Sequence, residues 1–491
     1  MGYRKSRRRI EKERKVAGWS DKTLIDLELG ISGYIVVPGM AEYDKDRQES
    51  NPWFQSYPRV IVYCVTWADV FAALGWAKSL SLWVTLRSGG HSTAGFSVND
   101  GMVIDTSAIR YVRVDPVART AAVGPGTDFD ILNQELDRYG LHVPSGACGS
   151  VNVAGFMQGG GYGYTSRMYG MNCDNVIGVT LLLAQPINGT ALVTATADGP
   201  YSDLFWAVRG GTGCNFGIVL EVQYQLYVLP SVWAWAIQWS INPDDPSSIA
   251  QAAQALVELQ TNYMASGAPP QLGYMGNIGA DPSGKPVLLL QGMYAGSRDD
   301  GLAALQSLLQ MPGAVLNADA TGTYGQMDQY LDNNPYPIPN PPDGACEDKQ
   351  CGYISAMLGV DDWTNVINQF LPINNGWNGV VIEPYGGAIN AYPMGANAFI
   401  HRTSSMDFFL DVFWMQSQDP DGQKARAGLN GYMEMMQQYL NGEMYQNYPR
   451  LDAEYDYRSA YWGSAFNQLL AIKQKYDPNN LFHYAQSISP P

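Results

Sequence analysis

The chain of 491 residues is longer than one hydrophobic core usually supports, so we expect two domains. Its composition, with 46% hydrophobic and 15% charged residues, is that of a folded globular protein and excludes a mainly disordered chain. A formal net charge of −16 argues against nucleic acid or an anionic membrane as the main partner.

The N-terminal segment has the opposite charge. Eight of the residues between positions 4 and 15 are Lys or Arg, and such a run predicts a solvated, frayed tail. No apolar segment follows it, so no secretory signal is visible, and a cytoplasmic location is the default expectation, with secretion left open. The longest apolar stretch, residues 176–184, is too short to cross a bilayer, so no membrane association is expected.

The first half of the chain has the pattern of short strands separated by glycine turns, with few helices. A strand is predicted at 59–66 and a helix at 67–79, because β-branched and aromatic residues give way to a helical pattern there. A second helix is expected to start near Thr127 and to end at Gly140. Further strands are predicted at 83–87, 102–105, 111–114, 120–124, 176–184 and 218–229.

The pattern changes after Pro230. Trp233, Trp235 and Trp239 are separated by even numbers of residues, so a strand would point all three to one face. Helices are predicted at 247–264, 299–309, 423–440 and 462–476, a strand at 407–414, and an Asn- and Pro-rich loop at 332–342. Because strands and helices do not alternate strictly, the expected fold class is α+β and not a doubly wound dinucleotide fold.

Two glycine-rich turns carry the strongest functional signal. One is Arg87-Ser88-Gly89-Gly90-His91-Ser92, directly after a predicted strand, and the other is Pro144-Ser145-Gly146-Ala147-Cys148-Gly149. Such turns let backbone amides approach a diphosphate closely and aim a side chain at a ring. Taken singly, His91 would be an ordinary turn residue and Cys148 a buried small apolar one. Their combination indicates a site.

Together the two turns resemble the double covalent flavin anchor of berberine-bridge-enzyme-like oxidases, in the vanillyl-alcohol-oxidase superfamily. The resemblance is strongest at 58–229 and from 443 onward, and in the middle it rests on Glu383-Pro384-Tyr385-Gly386-Gly387 and His401-Arg402. It implies a two-domain FAD-binding fold of the vanillyl-alcohol-oxidase (PCMH) type with a sheet-and-helix substrate domain. The FAD-binding domain would comprise 1–232 and 441–491, and the substrate-binding domain 233–440.

The resemblance also implies FAD as the cofactor and the way it is held. In the family a histidine bonds the 8α carbon of the flavin and a cysteine bonds carbon 6, and His91 and Cys148 stand at those two places. The other residues expected to contact FAD are Arg87, Ser88, Gly89, Gly90, Ser92, Gly146, Val151, Gly155, Gly159, Gly163, Val219 and Asn447. Two such bonds withdraw electrons from the ring and would raise its potential.

Two positions bear on how the flavin would react. Many relatives have a histidine where this chain has Phe156, so the tuning of the flavin at this place must differ. Val151 stands where the family admits or blocks oxygen, and valine is the permissive type, which favours an oxidase over a dehydrogenase. O2 is therefore the expected acceptor and hydrogen peroxide the expected product.

Tyr445-Gln446-Asn447-Tyr448 resembles the Y-x-N-Y segment of the family, whose first tyrosine acts as base. A phenol is a poor base at neutral pH unless a partner takes or stabilises its charge. The predicted partners of Tyr445 are Glu383, where oligosaccharide oxidases carry a helper carboxylate, and Tyr162, where several relatives have a second active-site tyrosine. The catalytic glutamate of alkaloid-type relatives is missing, because Phe408-Phe409 stands at its place.

The resemblance and the predicted pairing of Tyr445 with Glu383 favour oxidation of a carbohydrate, at its anomeric hydroxyl, to a lactone. Flat aromatic faces suit sugar stacking, and the candidates are Trp233, Trp235, Tyr274, Tyr294 and Tyr324. The alternative is a tailoring oxidase for a glycosylated or polyketide secondary metabolite. A relative that binds a ligand without turning it over also stays open.

Other chemistries find little support in the sequence. The four histidines show no metal-ligand spacing, so no metal site is expected, and no G-x-S-x-G segment is present. Cys346 and Cys351 are a candidate local disulfide, whereas Cys64, Cys173 and Cys214 are expected to be buried thiols. Nothing in the sequence indicates an oligomeric state.

Overall fold

A computed structural model describes residues 22–187, 189–264, 267–333, 340–451 and 455–490. The basic segment at positions 4–15 lies outside the described residues, as does most of the predicted Asn- and Pro-rich loop. In the described part the strands form four sheets, on which the helices pack, and the predicted α+β class is confirmed.

The elements are numbered along the chain. The strands are β1 (Tyr34–Val36), β2 (Val60–Tyr63), β3 (Val84–Arg87), β4 (Met102–Asp105), β5 (Val112–Asp115), β6 (Thr120–Val123), β7 (Leu141–His142), β8 (Val176–Ile187), β9 (Thr190–Ala195), β10 (Ile218–Gln225), β11 (Tyr227–Val228), β12 (Val232–Ser240), β13 (Leu272–Ala280), β14 (Pro286–Tyr294), β15 (Val315–Gly322), β16 (Cys346–Ile354), β17 (Gly379–Pro384) and β18 (Met406–Trp414). The helices are α1 (Lys22–Gly30), α2 (Tyr43–Asp46), α3 (Trp67–Ser79), α4 (Phe129–Asp137), α5 (Val153–Gly159), α6 (Ser166–Tyr169), α7 (Ser202–Ala207), α8 (Pro246–Glu258), α9 (Arg298–Ala304), α10 (Gln306–Leu309), α11 (Tyr324–Asp332), α12 (Val360–Phe370), α13 (Ala388–Ala391), α14 (Gln423–Met436), α15 (Tyr457–Trp462) and α16 (Phe466–Tyr476).

The first sheet has the strand order β1-β2-β4-β3, in which β2, β4 and β3 run parallel. Parallel sheets are covered on both faces, and β2 and β4 are accordingly almost wholly apolar. The helix α3 begins at a capping box formed by Thr66 and Asp69, and it packs with α1 on the core of this sheet. Because β3 ends at Arg87, the glycine-rich turn at 88–92 leaves from the carboxyl end of this sheet.

The second sheet is antiparallel, with the order β5-β6-β10-β8-β9. Its core side packs on α4, α5, α7 and α16 through residues such as Leu132, Met157, Leu204 and Leu469. The last helix of the chain thus shares a core with strands of the first half. The predicted domain boundaries at 232 and 440 stay a prediction.

The largest sheet is antiparallel and has seven strands in the order β15-β12-β14-β13-β17-β18-β16. One face packs on α8, α12 and α14, and Phe408 and Leu410 of β18 point into this core. Because side chains alternate along a strand, Asp407, Phe409 and Asp411 point to the other face. That second face of β16, β17 and β18 meets the segment at 444–448, which forms part of the candidate site.

The aromatic residues expected to stack on a sugar lie mostly in cores. Trp233 and Trp235 share one face as predicted, but it is the face covered by helices, and both are fully buried with Tyr274 beside them. Tyr324 is also buried, and Tyr294 is partly exposed. The expectation of stacking is therefore wrong for the four buried rings.

Three further observations limit the chemistry of the described residues. No helix in the described ranges is both long and apolar enough to span a lipid bilayer. No group of three or more His, Cys, Asp or Glu side chains in the same ranges could hold a metal ion. All six cysteines are free, so the candidate Cys346–Cys351 disulfide is not formed, and Cys64, Cys173 and Cys214 are buried as expected.

Candidate active site

His91 and Cys148 are brought together through Ser150. The Ser150 hydroxyl lies 3.1 Å from Nε2 of His91 and 3.4 Å from Sγ of Cys148. All three residues are exposed, so two reactive side chains from distant parts of the sequence open onto the same space. Ser150 was not among the predicted site residues, although its position two residues after Cys148 is a signal that could have indicated it.

The turn at 88–92 presents unused backbone donors. Gly90 has a φ of +71°, a left-handed conformation that glycine adopts without strain. The Ser92 hydroxyl accepts a hydrogen bond of 3.0 Å from the backbone N–H of Phe96, which fixes the far end of the turn. No hydrogen bond between described residues uses the backbone N–H groups of 88–92. A run of successive free N–H groups is an anion-binding concavity, suited to a diphosphate.

Arg87 was expected to contact FAD, but its side chain is bound within the protein. The guanidinium donates hydrogen bonds to Oδ2 of Asp105 at 2.5 Å, to the carbonyl of Asp46 at 2.7 Å and to the hydroxyl of Tyr63 at 3.0 Å. Burial acts to lower the pKa of Arg87, but the Asp105 carboxylate outweighs it and raises that pKa. The side chain therefore secures the base of the turn and is not free to bind a phosphate.

His91 has the protonation state that a nucleophile needs. The residue keeps an exposed edge, yet the surrounding protein lowers the pKa of its imidazole, against the opposing effect of the Glu347 carboxylate. A lowered pKa keeps the ring neutral at pH 7, with one nitrogen carrying a free lone pair. Nε2 faces Ser150, whereas no described residue bonds Nδ1, so Nδ1 is the nitrogen open to a ligand.

Asn447 ties the helix α5 to the predicted catalytic segment. Its Nδ2 donates to the carbonyl of Phe156 and to the hydroxyl of Tyr445, both at 3.0 Å. The approach to Gly159 is so close that an added Cβ would lie 1.9 Å from Oδ1 of Asn447. At Gly155, on the same helix, an added Cβ would have no atom within 4 Å, so this glycine borders open space.

The remaining residues expected to contact FAD differ in what they offer. Gly146 and Gly163 allow close packing, since an added Cβ at Gly163 would lie 1.8 Å from the carbonyl oxygen of Ser145. Val151 is partly buried, and its backbone N–H donates to the carbonyl of Cys148 at 3.2 Å. Val219 is 4% exposed within the core of the second sheet. Its side chain is therefore a core residue and does not reach a ligand.

Tyr445 is held deep in the site. Its phenol oxygen accepts hydrogen bonds from the backbone N–H of Gly161 at 2.7 Å and from Nδ2 of Asn447 at 3.0 Å. Its own N–H donates to Sγ of Cys351 at 3.3 Å. The residue is 1% exposed, and burial, with the charge of Glu383, raises the pKa of the phenol well above its ordinary value.

The hydrogen-bonded partner of Glu383 is Tyr448 and not Tyr445, which corrects the predicted pairing. The Tyr448 hydroxyl donates to Oε1 of Glu383 at 2.8 Å. Tyr448 is partly exposed, whereas Glu383 is 2% exposed. Burial raises the pKa of Glu383, against the Tyr448 hydrogen bond and the Lys349 charge, which lower it. The partly exposed Tyr448 phenol thus faces the open side of the site, and the buried Glu383 carboxylate lies behind it.

Tyr448, as a candidate base, and its neighbour Lys349 were also not predicted from the sequence. Lys349 is a mostly buried cation in the middle of β16, with 11% of its side chain exposed, beside the carboxylates of Asp411 and Glu347. A lysine that directly follows two acidic residues, Glu347 and Asp348, looks like an ordinary surface pattern in the sequence. Its burial follows only from the way β16 packs against β18.

Tyr162 lies near Glu383 but makes no hydrogen bond to it. It is 3% exposed, and its hydroxyl is within hydrogen-bonding distance of the carbonyls of Tyr274, at 3.1 Å, and Pro384, at 3.0 Å. Its ring stacks on that of Tyr385, with 5.7 Å between the ring centres. The hydroxyl of Tyr162 therefore donates to backbone carbonyls and not to Tyr445 or Glu383, although burial and the Glu383 charge raise its pKa well above the ordinary value.

The residues present fit a flavin dinucleotide. Free backbone N–H groups at 88–92 suit the diphosphate, and the space beside Gly155 is open. His91 and Cys148 are exposed and converge on one hydroxyl, so both can reach a single ring. These features come from the turn at 88–92, the Cys148 turn and the helix α5.

Two family models match the chain. The model of an FAD binding domain matches residues 58–191, and the model described as berberine and berberine like matches residues 444–489. The first match contains both glycine-rich turns, and the second contains Tyr445 and Tyr448. The two matches thus contain the turns and both tyrosines of the candidate site, whereas Glu383 and Lys349 lie outside them.

Relatives match over nearly the whole chain. A carbohydrate oxidase of Microdochium nivale is 28% identical, over 93% of this chain and 92% of the relative. A chitooligosaccharide oxidase of Gibberella zeae is 27% identical, over 92% of this chain and 91% of the relative. Among solved structures, wild-type BBE-like 1 of Physcomitrella patens has a TM-score of 0.83 and 28% identity, covering 96% of this chain and 99% of that one.

The fold, the site and these matches define an FAD-linked oxidoreductase, and FAD is its cofactor. Within that class the chain is similar to the berberine-bridge-enzyme-like oxidases: it has an FAD binding domain and a berberine-like segment, and its fold is of the vanillyl-alcohol-oxidase type. The resemblance read from the two glycine-rich turns is thereby confirmed.

Proposed function

We propose that the protein oxidises a carbohydrate at the anomeric hydroxyl of a reducing oligosaccharide and forms a lactone. The observation that carries this proposal is the Tyr448–Glu383 pair, a phenol with a buried carboxylate behind it. Oxidation of an alcohol needs a base for the hydroxyl proton, and a phenol serves only when a partner takes its charge. Similarity to the carbohydrate oxidase and the chitooligosaccharide oxidase supports the substrate class.

FAD would be attached by two bonds, from His91 to the 8α carbon of the flavin and from Cys148 to carbon 6. Ser150 supports this attachment because its one hydroxyl contacts both side chains. The lowered pKa of His91 leaves the imidazole neutral, so that Nδ1 is nucleophilic. When bound, FAD would supply the hydride acceptor and pass the two electrons to O2, giving hydrogen peroxide.

Tyr448 would take the hydroxyl proton of the substrate while its own proton moves to Glu383. The hydrogen bond of 2.8 Å between Tyr448 and Glu383 is the path for that second transfer. The Lys349 charge favours the ionised form of Glu383 beforehand, because it lowers the pKa of that carboxyl. Tyr445 would position Asn447 and not act as base, since it is 1% exposed and has no hydrogen-bonded carboxylate among the described residues that could take its proton.

Anaerobic flavin bleaching by xylobiose and by chitooligosaccharides tests the proposal. We expect Tyr448→Phe to slow bleaching by about 10²- to 10⁴-fold, the usual loss when a general base is removed, with the flavin still attached. Tyr445→Phe should lose far less, because it leaves the Tyr448–Glu383 pair intact. The opposite ranking would assign the base to Tyr445. Bleaching by polyketide glycosides or aromatic alcohols alone would overturn the carbohydrate assignment.

A further inference from the structure

Asp407 and Glu383 stand side by side on neighbouring strands of the seven-stranded sheet. The register of β17 and β18 puts Glu383 directly opposite Asp407. Residues directly opposite on antiparallel strands point to the same face, with Cβ atoms about 4.5–5.5 Å apart. The two carboxyl groups therefore occupy the same region, on the face where Tyr448 meets Glu383.

Both carboxyl groups are buried and incompletely bonded. Glu383 is 2% exposed and Asp407 is 0% exposed. Oε1 of Glu383 accepts the Tyr448 hydrogen bond, but its Oε2 and both oxygens of Asp407 make no hydrogen bond of normal geometry to the described residues. Two ionised carboxylates cannot bond one another, because both only accept, and two adjacent buried negative charges repel. A single proton on one of them removes both problems.

We propose that Asp407 is a neutral carboxylic acid that donates a hydrogen bond to Oε2 of Glu383 and so keeps Glu383 ionised. This inference rests on the proposed role of Glu383 as the proton acceptor for Tyr448. The proton belongs on Asp407 because the Tyr448 hydroxyl already stabilises the anionic form of Glu383, whereas no side chain donates to Asp407. Asp407 is then a positioning residue, since it acts on the reaction only through Glu383.

The surroundings of the pair favour one proton and not two charges. Lys349 is the cation facing the pair, and it is already shared with the carboxylates of Asp411 and Glu347. Burial and the Glu383 charge raise the pKa of Asp407 well above its ordinary value. The other titratable groups near the pair are neutral at pH 7, with raised pKa values: Tyr162, Cys351, Tyr353, Tyr385, Tyr445 and Tyr448. One ammonium group therefore cannot balance four ionised carboxylates.

Infrared spectroscopy of the flavin-loaded protein at alkaline pH tests the proton directly, because the neighbouring Asp411, whose pKa burial raises to about 7, is ionised there. A protonated carboxyl group has a C=O stretch that an ionised carboxylate lacks, and ¹³C-labelled aspartate assigns that band to Asp. The difference spectrum between wild type and Asp407→Asn should contain the band of one protonated aspartate. Asp411→Asn, a change on the same strand and face, should leave that band in place. A difference spectrum without it would overturn the proposal.

The pH profile of flavin reduction by xylobiose tests what the proton does. Asp407→Leu removes the donor, so the acid limb of kcat/KM should move about one unit to higher pH, a roughly tenfold loss on that limb. Asp407→Asn keeps an N–H donor at the same place and should restore the wild-type limb. Both variants should keep the wild-type KM. An unshifted limb in the leucine variant, or equal shifts in both, would overturn the proposal.

Two separate measurements distinguish failure of the Asp407 proposal from failure of the proposed function. If no sugar reduces the flavin, the carbohydrate assignment fails, while the infrared difference still decides the protonation of Asp407. If Asp407→Leu does not fold, the infrared comparison of wild type with Asp407→Asn decides the question alone.

Discussion

The ammonium group of Lys349 lies 4.6 Å from the centre of the Tyr448 ring, the phenol that is bonded to Glu383. It is held there by the carboxylates of Asp411, at 3.2 Å, and Glu347, at 3.5 Å. Burial acts to lower the pKa of Lys349, but these two carboxylates outweigh it and raise that pKa. A permanent positive charge therefore stands next to the proposed base and its proton acceptor.

Replacing Lys349 should lower the fraction of Glu383 that is ionised and able to accept the Tyr448 proton. The Lys349 charge lowers the pKa of Glu383, so Lys349→Met should move the acid limb of flavin reduction to higher pH. Each unit of that shift lowers the rate on the limb about tenfold. Asp411→Asn is a control of opposite sign, because the Asp411 charge raises the pKa of Glu383. Stopped-flow reduction over a pH series measures both variants, and shifts of equal sign would contradict the electrostatic role.

Ser150 should matter for attachment of the flavin more than for stability. Ser150→Ala removes the hydroxyl that contacts both His91 and Cys148, and a hydrogen bond of this kind contributes about 1 kcal/mol. We expect incomplete covalent incorporation, with flavin released on acid precipitation, and a mass spectrum that contains unmodified His91 or Cys148 peptides. Ser79→Ala is the matched control, because the exposed Ser79 hydroxyl bonds only the Trp76 carbonyl of its own helix, α3. Full incorporation in Ser150→Ala would show that the two anchors orient themselves independently.

Much of the fold could be predicted from the sequence where local signals are strong. The helix predicted at 67–79 is α3, with the same bounds, because the Thr66/Asp69 capping box fixes its start. The helix predicted at 462–476 is broken at Gly463, whose φ of +46° ends α15 before α16 begins. An isolated glycine does not reveal in advance whether tertiary packing will force such a break.

The site could be predicted only in part, for a reason that differs from residue to residue. His91 and Cys148 lie in turns with a recognisable sequence, so their approach to one another was expected. Tyr445 and Tyr448 lie outside regular elements, so no periodicity indicates which hydroxyl meets Glu383, and packing against β17 decides it. Asp407 could have been predicted to face the site. Side chains alternate along a strand, so Asp407 points away from the core into which Phe408 packs.

Gly159 should tolerate no side chain. In Gly159→Ala the new Cβ would lie 1.9 Å from Oδ1 of Asn447, so the Asn447 side chain must move and lose its hydrogen bonds to Phe156 and Tyr445. We expect a loss of about 1–3 kcal/mol in the free energy of unfolding, as for other overpacked sites. Gly155→Ala is the control on the same helix, since its Cβ would meet no atom and alanine favours a helix. Chemical denaturation of both variants gives the comparison, and equal stabilities would contradict the contact.

His142 makes the folded protein sensitive to acid. The residue is 1% exposed, its Nε2 lies 2.7 Å from the Thr165 hydroxyl, and its ring lies 4.0 Å from that of Tyr324. Burial lowers the pKa of His142 to about 3, from 6.5 in the unfolded chain. The unfolded state therefore binds this proton first, so the stabilisation is complete above pH 6.5 and is lost as the pH falls towards 3. His401, whose pKa is also lowered by burial, adds to the same slope.

His142→Gln should flatten this dependence, because glutamine can bond the Thr165 hydroxyl without taking up a proton. Two pH units below 6.5, the wild type should have lost about 2–3 kcal/mol through His142 alone, and the variant should not lose this part. Thr165→Val is the control, since it removes the hydrogen bond but leaves the imidazole in place. We expect it to be less stable at every pH, with the wild-type slope unchanged. Denaturation at neutral and acid pH measures both slopes. If His142→Gln keeps the full wild-type slope, the acid sensitivity comes from other groups. Removing an imidazole that takes up a proton only on unfolding must otherwise reduce the number of protons bound on unfolding, and with it the slope.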